Sequence, residues 1–374
     1  RKALPEPNGE INTGVEYEAP RNEIEEKLVK VWNEVLGVEK IGIDDDFFSL
    51  GGESIKAIQV CARLSRYNLK ITVSELFASP TIRALSLNVN QEDKQINQTA
   101  IEGKVELTAI QRWFFNQEFT NMHHWNQSFM MYSKEGFNEK IINKVFSKIV
   151  KHHDALRIVI KEEGDKIIQY NKGTEDKLFD LSVMDLSNKE SYQVEIEKEA
   201  IKIQSSINLF DGPLVKLGLF KTKDGDHLLI AIHHLVVDGI SWRVLFEDIS
   251  TGYRQAIKKE EIELPSKTHS FKEWSENIIN YAKSNKLLEE IRYWSKIENT
   301  KVGEIYKDYE TTNNKGYNSN SIEMKISKEN TNNLLKDTNK AYNTETNDIL
   351  LASLGLTIKE WTGENKVLVN LEGH

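Results

Sequence analysis

Apolar positions change their spacing several times along this chain, and each change marks an element. Asn22 is a helix N-cap ahead of Ile24, Leu28, Val31, Trp32, Val35 and Leu36, which share one helical face until Gly37 stops the run. After the loop Ile41–Leu50 and Gly51-Gly52-Glu53, a second helix opens at Ser54, with Ile55, Ile58, Cys61 and Ala62 inward, ending near Arg66-Tyr67-Asn68. Short helical pieces at Val73–Phe77 and from Thr81 to about Val89 complete a small all-α bundle of about 70 residues, close to the lower limit for an independent core. Gln91–Gly103 is polar and unpatterned, a flexible linker.

From Leu107 onward helical and strand periods mix. Helices are predicted at Asn138–His152, 191–207 and Val244–Ile257. Ile158–Ile160 and Lys166–Tyr170 read as a hairpin, and Pro213–Phe220 as a strand that turns at Lys223–Asp226 into the next. That next run, Leu228–Ile232, is apolar without alternation, as a fully buried strand would be, and it ends abruptly in His233-His234-Leu235-Val236-Val237-Asp238-Gly239. The order is not a regular βαβ repeat, so an α+β sandwich is expected. Glu260–His269 and a Trp/Tyr-rich helix over Phe271–Trp294 read as a crossover into a second lobe. A polar loop at 299–320 leads to a strand at Ser321–Ile326, helices near 328–342 and 347–357, and a last strand, Lys366–Leu371, that delivers Glu372.

Composition narrows the class. The 374 residues allow two or three domains, and a net charge of −9 argues against a nucleic-acid surface. No apolar run approaches a membrane span and no signal-peptide pattern is present. The single cysteine, Cys61, falls on helical apolar positions and reads as a core thiol in a reducing, cytoplasmic setting. Cys pairs and His-Glu-x-x-His spacing are missing, so no metal site is expected. Residues 1–20 hold three of the six prolines and no apolar period, a tail or linker, and their abrupt start on Arg1-Lys2 suggests a piece of a larger protein.

Two places carry candidate chemistry. Ser54 follows two glycines at a helix start, where free N–H groups and the helix dipole favour a bound phosphate. The same chemistry suits a simple N-cap, and local physics leaves both open. Three His-His pairs compete for acid–base work: 123/124, 152/153 and 233/234. The pair at 152/153 ends a helix, where a dipole contact accounts for it, and 123/124 precedes a strand and could line a pocket. Only 233/234 follows a buried-looking strand and precedes Asp-Gly.

The run D-D-F-F-S-L-G-G-E-S-I-K-A-I at 45–58 resembles the carrier-protein signature of nonribosomal peptide synthetases. The resemblance implies a four-helix peptidyl carrier over 20–92, with 4′-phosphopantetheine attached to Ser54; Glu53 stands where Asp or His is usual. K-A-L-P-E-P at 2–7 looks like the end of an adenylation domain, so 1–19 are its tail. After a linker at 93–104, residues 105–374 resemble the epimerization branch of the condensation superfamily, which has a chloramphenicol-acetyltransferase-like α+β fold. The matching motifs are I-Q-R-W-F-F at 110–115, H-H-W-N-Q-S at 123–128, H-H-L-V-V-D-G at 233–239, D-G-I-S-W at 238–242, D-I-L-L-A-S-L-G at 348–355 and E-G-H at 372–374. Motifs beyond E-G-H are missing, so an N-terminal lobe plus part of a C-terminal lobe is expected, truncated at the C-terminal side.

The resemblance implies an isomerase. The Cα–H of an aminoacyl or peptidyl thioester is acidic, because sulfur donates poorly to the carbonyl. Inversion removes that proton on one face and returns one on the other, giving an L/D mixture. His234 and Glu372 take these roles, His234 either as second acid/base or as stabiliser of the enolate oxygen. His233, Asp238 and Gly239 are structural: Asp238 is expected to pair with an arginine such as Arg157, Gly239 to permit a tight turn, and Trp242 to pack. Neither pyridoxal phosphate nor a metal is implied. The partners implied are an upstream adenylation domain, a downstream condensation domain, a phosphopantetheinyl transferase and the carrier-bound substrate. The alternatives are a peptide-bond-forming condensation domain, or a non-catalytic carrier and docking module.

Overall fold

The computed structural model describes residues 15–64, 67, 69–91, 96–117, 119–164, 166–309, 318–338, 341 and 344–371. The tail at 1–14 and the E-G-H segment at 372–374 lie outside the described residues. The chain divides into two compact units, the first ending at Ala282 and the second beginning at Lys283.

The first unit opens with helices α1 (Glu23–Leu36) and α2 (Ser54–Leu64), then strand β1 (Leu69–Lys70), α3 (Val73–Ala78), α4 (Ile82–Ser86) and β2 (Asn90–Gln91), which pairs antiparallel with β1. Asn22 caps α1 by accepting from the Glu25 N–H at 2.9 Å, and Gly37 ends it in the left-handed region at φ 72°. The apolar faces of these helices close on one core of Leu28, Val31, Trp32, Phe47, Val60, Leu76 and Leu85.

The segment expected as a flexible linker is instead held over residues 98–101, where Gln98 and Thr99 bond Lys267 and Ile101 bonds Asp154 and Arg157. Then come β3 (Gly103–Val105), α5 (Ala109–Phe115), β4 (Asn126–Ser133), α6 (Glu139–His152), a 3-10 turn (Asp154–Arg157), β5 (Ile158–Glu163), β6 (Lys166–Asn171), β7 (Asp180–Asp185), α7 (Tyr192–Ser205), β8 (Val215–Thr222), β9 (Gly225–His233), α8 (Gly239–Ile257) and α9 (Phe271–Ala282). Three strands pair in the order β3-β6-β5, and four in the order β4-β9-β8-β7, all antiparallel except β7 with β8. Two helices, α6 and α8, cover one face of the four-stranded sheet. Leu217, Leu219, Leu228, Ile230 and Ile232 meet Val145, Ile149, Leu245 and Ile249 in that layer. On the other face, Tyr192, Ile196 and Ile203 of α7 meet Phe220 and Leu229. Both faces of β9 are therefore buried, which is why its sequence is a continuous apolar run rather than an alternating one.

The helix expected over Phe271–Trp294 is two helices. It breaks after Ala282, where the second unit begins, and resumes as α10 (Asn285–Glu298). That unit continues with α11 (Lys328–Asn332), a π-helical turn (Asn333–Asp337) and α12 (Thr346–Thr362). The strands expected at Ser321–Ile326 and Lys366–Leu371 do not form; both segments are irregular and mostly exposed. A strand exists only as a member of a ladder, and neither segment finds a pairing partner among the described residues.

Candidate active site

In the carrier half, the loop before Ser54 is wound around one buried ring. Phe47 packs edge-on against Trp32 at 5.0 Å, its N–H donates to the Pro80 carbonyl at 2.8 Å, and its own carbonyl accepts from Gly52 N–H at 2.8 Å. A Cβ on Gly52 would sit 2.4 Å from the Phe47 ring, so only glycine lets the chain pass this close. Gly51 adds a left-handed turn at φ 84°, and Lys56 Nζ ties it back through the Gly51 carbonyl at 2.9 Å. Ser54 is thereby fixed as the residue that opens α2, an 11-residue helix whose first N–H groups have no intrahelical partners. A phosphodiester on that serine would meet the favourable end of the helix dipole, so these residues suit the arm. Cys61, further along α2, has its thiol pushed up to about 11 by burial, as a core thiol does and a nucleophile does not.

Arg63 of α2 reaches out of the carrier. Its guanidinium contacts Glu247 of α8 at 2.8 Å and Glu34 of α1 at 3.5 Å.

In the other half, β9 delivers the histidine pair. Asn126 of β4 stands opposite His233 in the antiparallel register, and the ladder runs one residue further, His234 N–H donating to the Trp125 carbonyl at 2.8 Å. The two rings lead different lives. His233 is fully buried, edge-on to Phe114 at 5.9 Å; its Nε2–H donates to the Met122 carbonyl at 2.9 Å and its Nδ1 accepts from Leu235 N–H at 3.2 Å. Burial pushes its pKa down to about 4, so it stays neutral, and both its partners are backbone groups that cannot turn away. His234 is only partly buried. Its Nδ1 bonds the Val237 carbonyl at 2.8 Å and its Nε2 lies 3.1 Å from the Gln127 side-chain nitrogen, while Gln127 Oε1 accepts from Trp242 Nε1–H at 2.7 Å.

Two supporting roles differ from expectation. Asp238 does not pair with Arg157. It is the exposed N-cap of α8, accepting from Ser241 N–H and Oγ–H at 2.7 Å each, and so sets where that helix starts. Arg157 is fully buried elsewhere and holds Asp154 at 2.6 Å together with the carbonyls of Ile101, Val150, Lys151 and Lys172. Gly239 is not in a left-handed turn; it is the first residue of α8, and a Cβ there would meet nothing within 4 Å. Trp242 packs as expected, 4.7 Å from Phe129 and 5.6 Å from Phe246.

The other histidine pairs are tied into the scaffold. His153 Nε2–H donates to the buried Asp248 carboxylate at 2.7 Å, a side-chain bond where a dipole contact was expected. Its neighbour His152 is pushed down to about 4, first by burial and then by His153. His123 Nδ1 accepts from Leu209 N–H at 3.1 Å. Glu372 lies outside the described residues. Gln127 is the contributor that sequence reasoning quoted within a motif without singling out. The available signal was a polar residue sharing a strand face with Phe129 and Met131.

Residues 101–374 match the family described as "Condensation domain", and residues 26–88 match "Phosphopantetheine attachment site". The chain belongs to the condensation-domain family. It joins that domain to a phosphopantetheine attachment domain. It is 52% identical to Gramicidin S synthase 1 of Brevibacillus brevis over 100% of this chain and 34% of that protein. It is 48% identical to Tyrocidine synthase 1 of Brevibacillus parabrevis over 100% of this chain and 35% of that protein, so it spans about a third of the length of these relatives. Among solved structures it is similar to the epimerization domain from the third module of tyrocidine synthetase B, with 46% identity and a TM-score of 0.69 over 71% of this chain and 61% of that one. Among the described residues, no helix is long and apolar enough to cross a membrane.

Proposed function

We propose that this condensation-family chain is a carrier–epimerization didomain, an isomerase that inverts the Cα of an aminoacyl or peptidyl group held as a thioester on the carrier. The observation that carries the reading is the 46% identity, at a TM-score of 0.69, to a domain described as an epimerization domain. The proposed extents are a carrier of the four-helix type over 20–92 and an epimerization domain that includes β3, so the linker expected at 93–104 ends before Gly103. Ser54 is the attachment point, and the arm supplies a thioester, whose adjacent C–H is more acidic than that of an amide. Within the catalytic half, His234 is the partly buried acid–base group, one residue past the end of a rigid strand and ahead of the helix that Asp238 caps. His233, with both ring nitrogens engaged, holds the strand end in place. Glu372 is proposed as the second acid/base, because inversion needs a proton carrier on each face of the reacting carbon. The partners proposed are a phosphopantetheinyl transferase, an adenylation domain that loads the arm and a condensation domain that receives the product.

The test uses the protein with the arm installed on Ser54 and charged with an L-aminoacyl or an L-terminated peptidyl group. It is incubated in deuterated water, and the released acid is analysed by chiral chromatography with mass detection. Deuterium at Cα and a rising D fraction, both lost in Glu372→Gln and in Ser54→Ala, support the reading. An L centre without exchange in both substrates overturns it. Peptide-bond formation with an added amine donor would then favour condensation, the activity named in the family description.

A further inference from the structure

The contacts around His234 fix which of its nitrogens carries the proton. An indole N–H can only donate, so the Gln127 atom 2.7 Å from Trp242 Nε1 must be the amide oxygen. The amide nitrogen is then the atom 3.1 Å from His234 Nε2, and an amide nitrogen only donates. Nε2 must therefore receive that bond on its lone pair. The other side of the ring gives the same answer independently. A carbonyl only accepts, so the 2.8 Å contact with Val237 requires a hydrogen on Nδ1. The neighbouring ring is set the opposite way, with His233 donating from Nε2 to Met122 and accepting at Nδ1 from Leu235. Two adjacent histidines thus stand in opposite neutral tautomers, each specified by two bonds.

The fold builds this relay from three elements. Register on β4 places Gln127 opposite Ile232, beside the end of β9. The Asp238 cap starts α8 where its first turn brings Trp242 over the same strand, and Phe129 and Phe246 hold the indole in place. Nothing about Trp242 as a packing residue requires its N–H to find Gln127; the bond adds orientation to packing.

We propose that Gln127, itself oriented by Trp242, is a positioning residue that holds His234 in the Nδ1–H tautomer, so that His234 begins the reaction as the proton acceptor, through Nε2. This rests on the epimerization reading above. In the step concerned, the Gln127 amide turns off Nε2 and frees its one lone pair; the Cα–H bond of the substrate then breaks, its proton moves to Nε2 and its electron pair stays on the substrate. The proton for the opposite face comes from the other acid, Glu372, and nothing is oxidised or reduced. Once Nε2 carries a proton, the amide N–H and the ring N–H oppose each other. That opposition keeps Gln127 turned away until Nε2 gives its proton up, when the amide N–H returns and the site is reset.

The test has a readout that does not depend on turnover. Protein labelled with ¹⁵N-histidine is examined by long-range ¹H–¹⁵N correlation at neutral pH, with His234 assigned by the peaks lost in His234→Gln. The expected result is an Nδ1–H tautomer for His234 and an Nε2–H tautomer for His233. Gln127→Glu keeps an oxygen for Trp242 and turns the second one toward Nε2. That variant should protonate Nε2 and lower the rate of Cα deuterium exchange in the charged protein at least about a hundredfold, the low end of what a positioned acid–base group contributes. Trp242→Phe should mix the two tautomers, with an intermediate rate, and Gln127→Met should leave the thermal midpoint near that of the parent while lowering exchange. An Nε2–H or doubly protonated His234 in the parent protein overturns the proposal, as does Gln127→Glu with unchanged tautomer and rate. If Gln127→Glu does not fold, the parent spectrum and the other two variants decide. A correct tautomer in a protein that exchanges no Cα proton overturns the epimerization reading instead, so the two failures are told apart.

Discussion

Replacing His233 with glutamine should flatten the acid limb of the protein's stability curve. The ring is fully buried and both its nitrogens are bonded, so a second proton would break the Leu235 bond and leave a charge against Phe114. The folded pKa is accordingly pushed down to about 4 from an ordinary 6.5. Between these values the unfolded chain binds one proton that the folded chain refuses, so stability is fully present above pH 6.5 and is lost as pH falls toward 4. At about 1.4 kcal/mol per unit, the window is worth about 3 kcal/mol. His152, also held near 4, gives the parent a second proton of the same sign, so the parent slope alone does not isolate His233. The gap between parent and variant does. Urea unfolding of both proteins at half-unit steps from pH 7.5 to 4.5 should show His233→Gln less stable at neutral pH, through lost packing, and the gap closing by about 1.4 kcal/mol per unit below pH 6. A gap that stays constant across that range would refute the account of a buried, permanently neutral ring.

Arg157→Ala should cost about 3–5 kcal/mol in urea unfolding, because it leaves Asp154 short of its guanidinium and strips four carbonyls of their donor. Arg157→Lys should recover less than half of that loss, since three ammonium donors cannot reproduce a five-donor fork. Gly52→Ala should destabilise the carrier by about 1–3 kcal/mol, by forcing a Cβ to 2.5 Å from the Phe47 carbonyl. It should also slow attachment of the arm to Ser54, which is read by intact-protein mass.

The sequence by itself determined the order of domains and the identity of most elements. The helical face from Ile24 to Leu36 with Asn22 and Gly37 at its ends, the hairpin of β5 and β6, and the unalternating run of β9 were all written in local spacing, because each depends on residues a few positions apart. The histidine pair was legible for the same reason, and the motifs around it pointed to the condensation superfamily. Tertiary structure alone decided what those residues touch. Arg157 and Asp238 looked like a pair by charge, but one is enclosed by four carbonyls from three segments while the other caps a helix. Ser321–Ile326 and Lys366–Leu371 have strand composition, but a strand needs a partner edge, which composition does not supply. The tautomer of His234 is the clearest case. It is set by Gln127, which lies 107 positions away in the chain, and by a tryptophan on another element, through bond directions that exist only once β4, β9 and α8 are assembled.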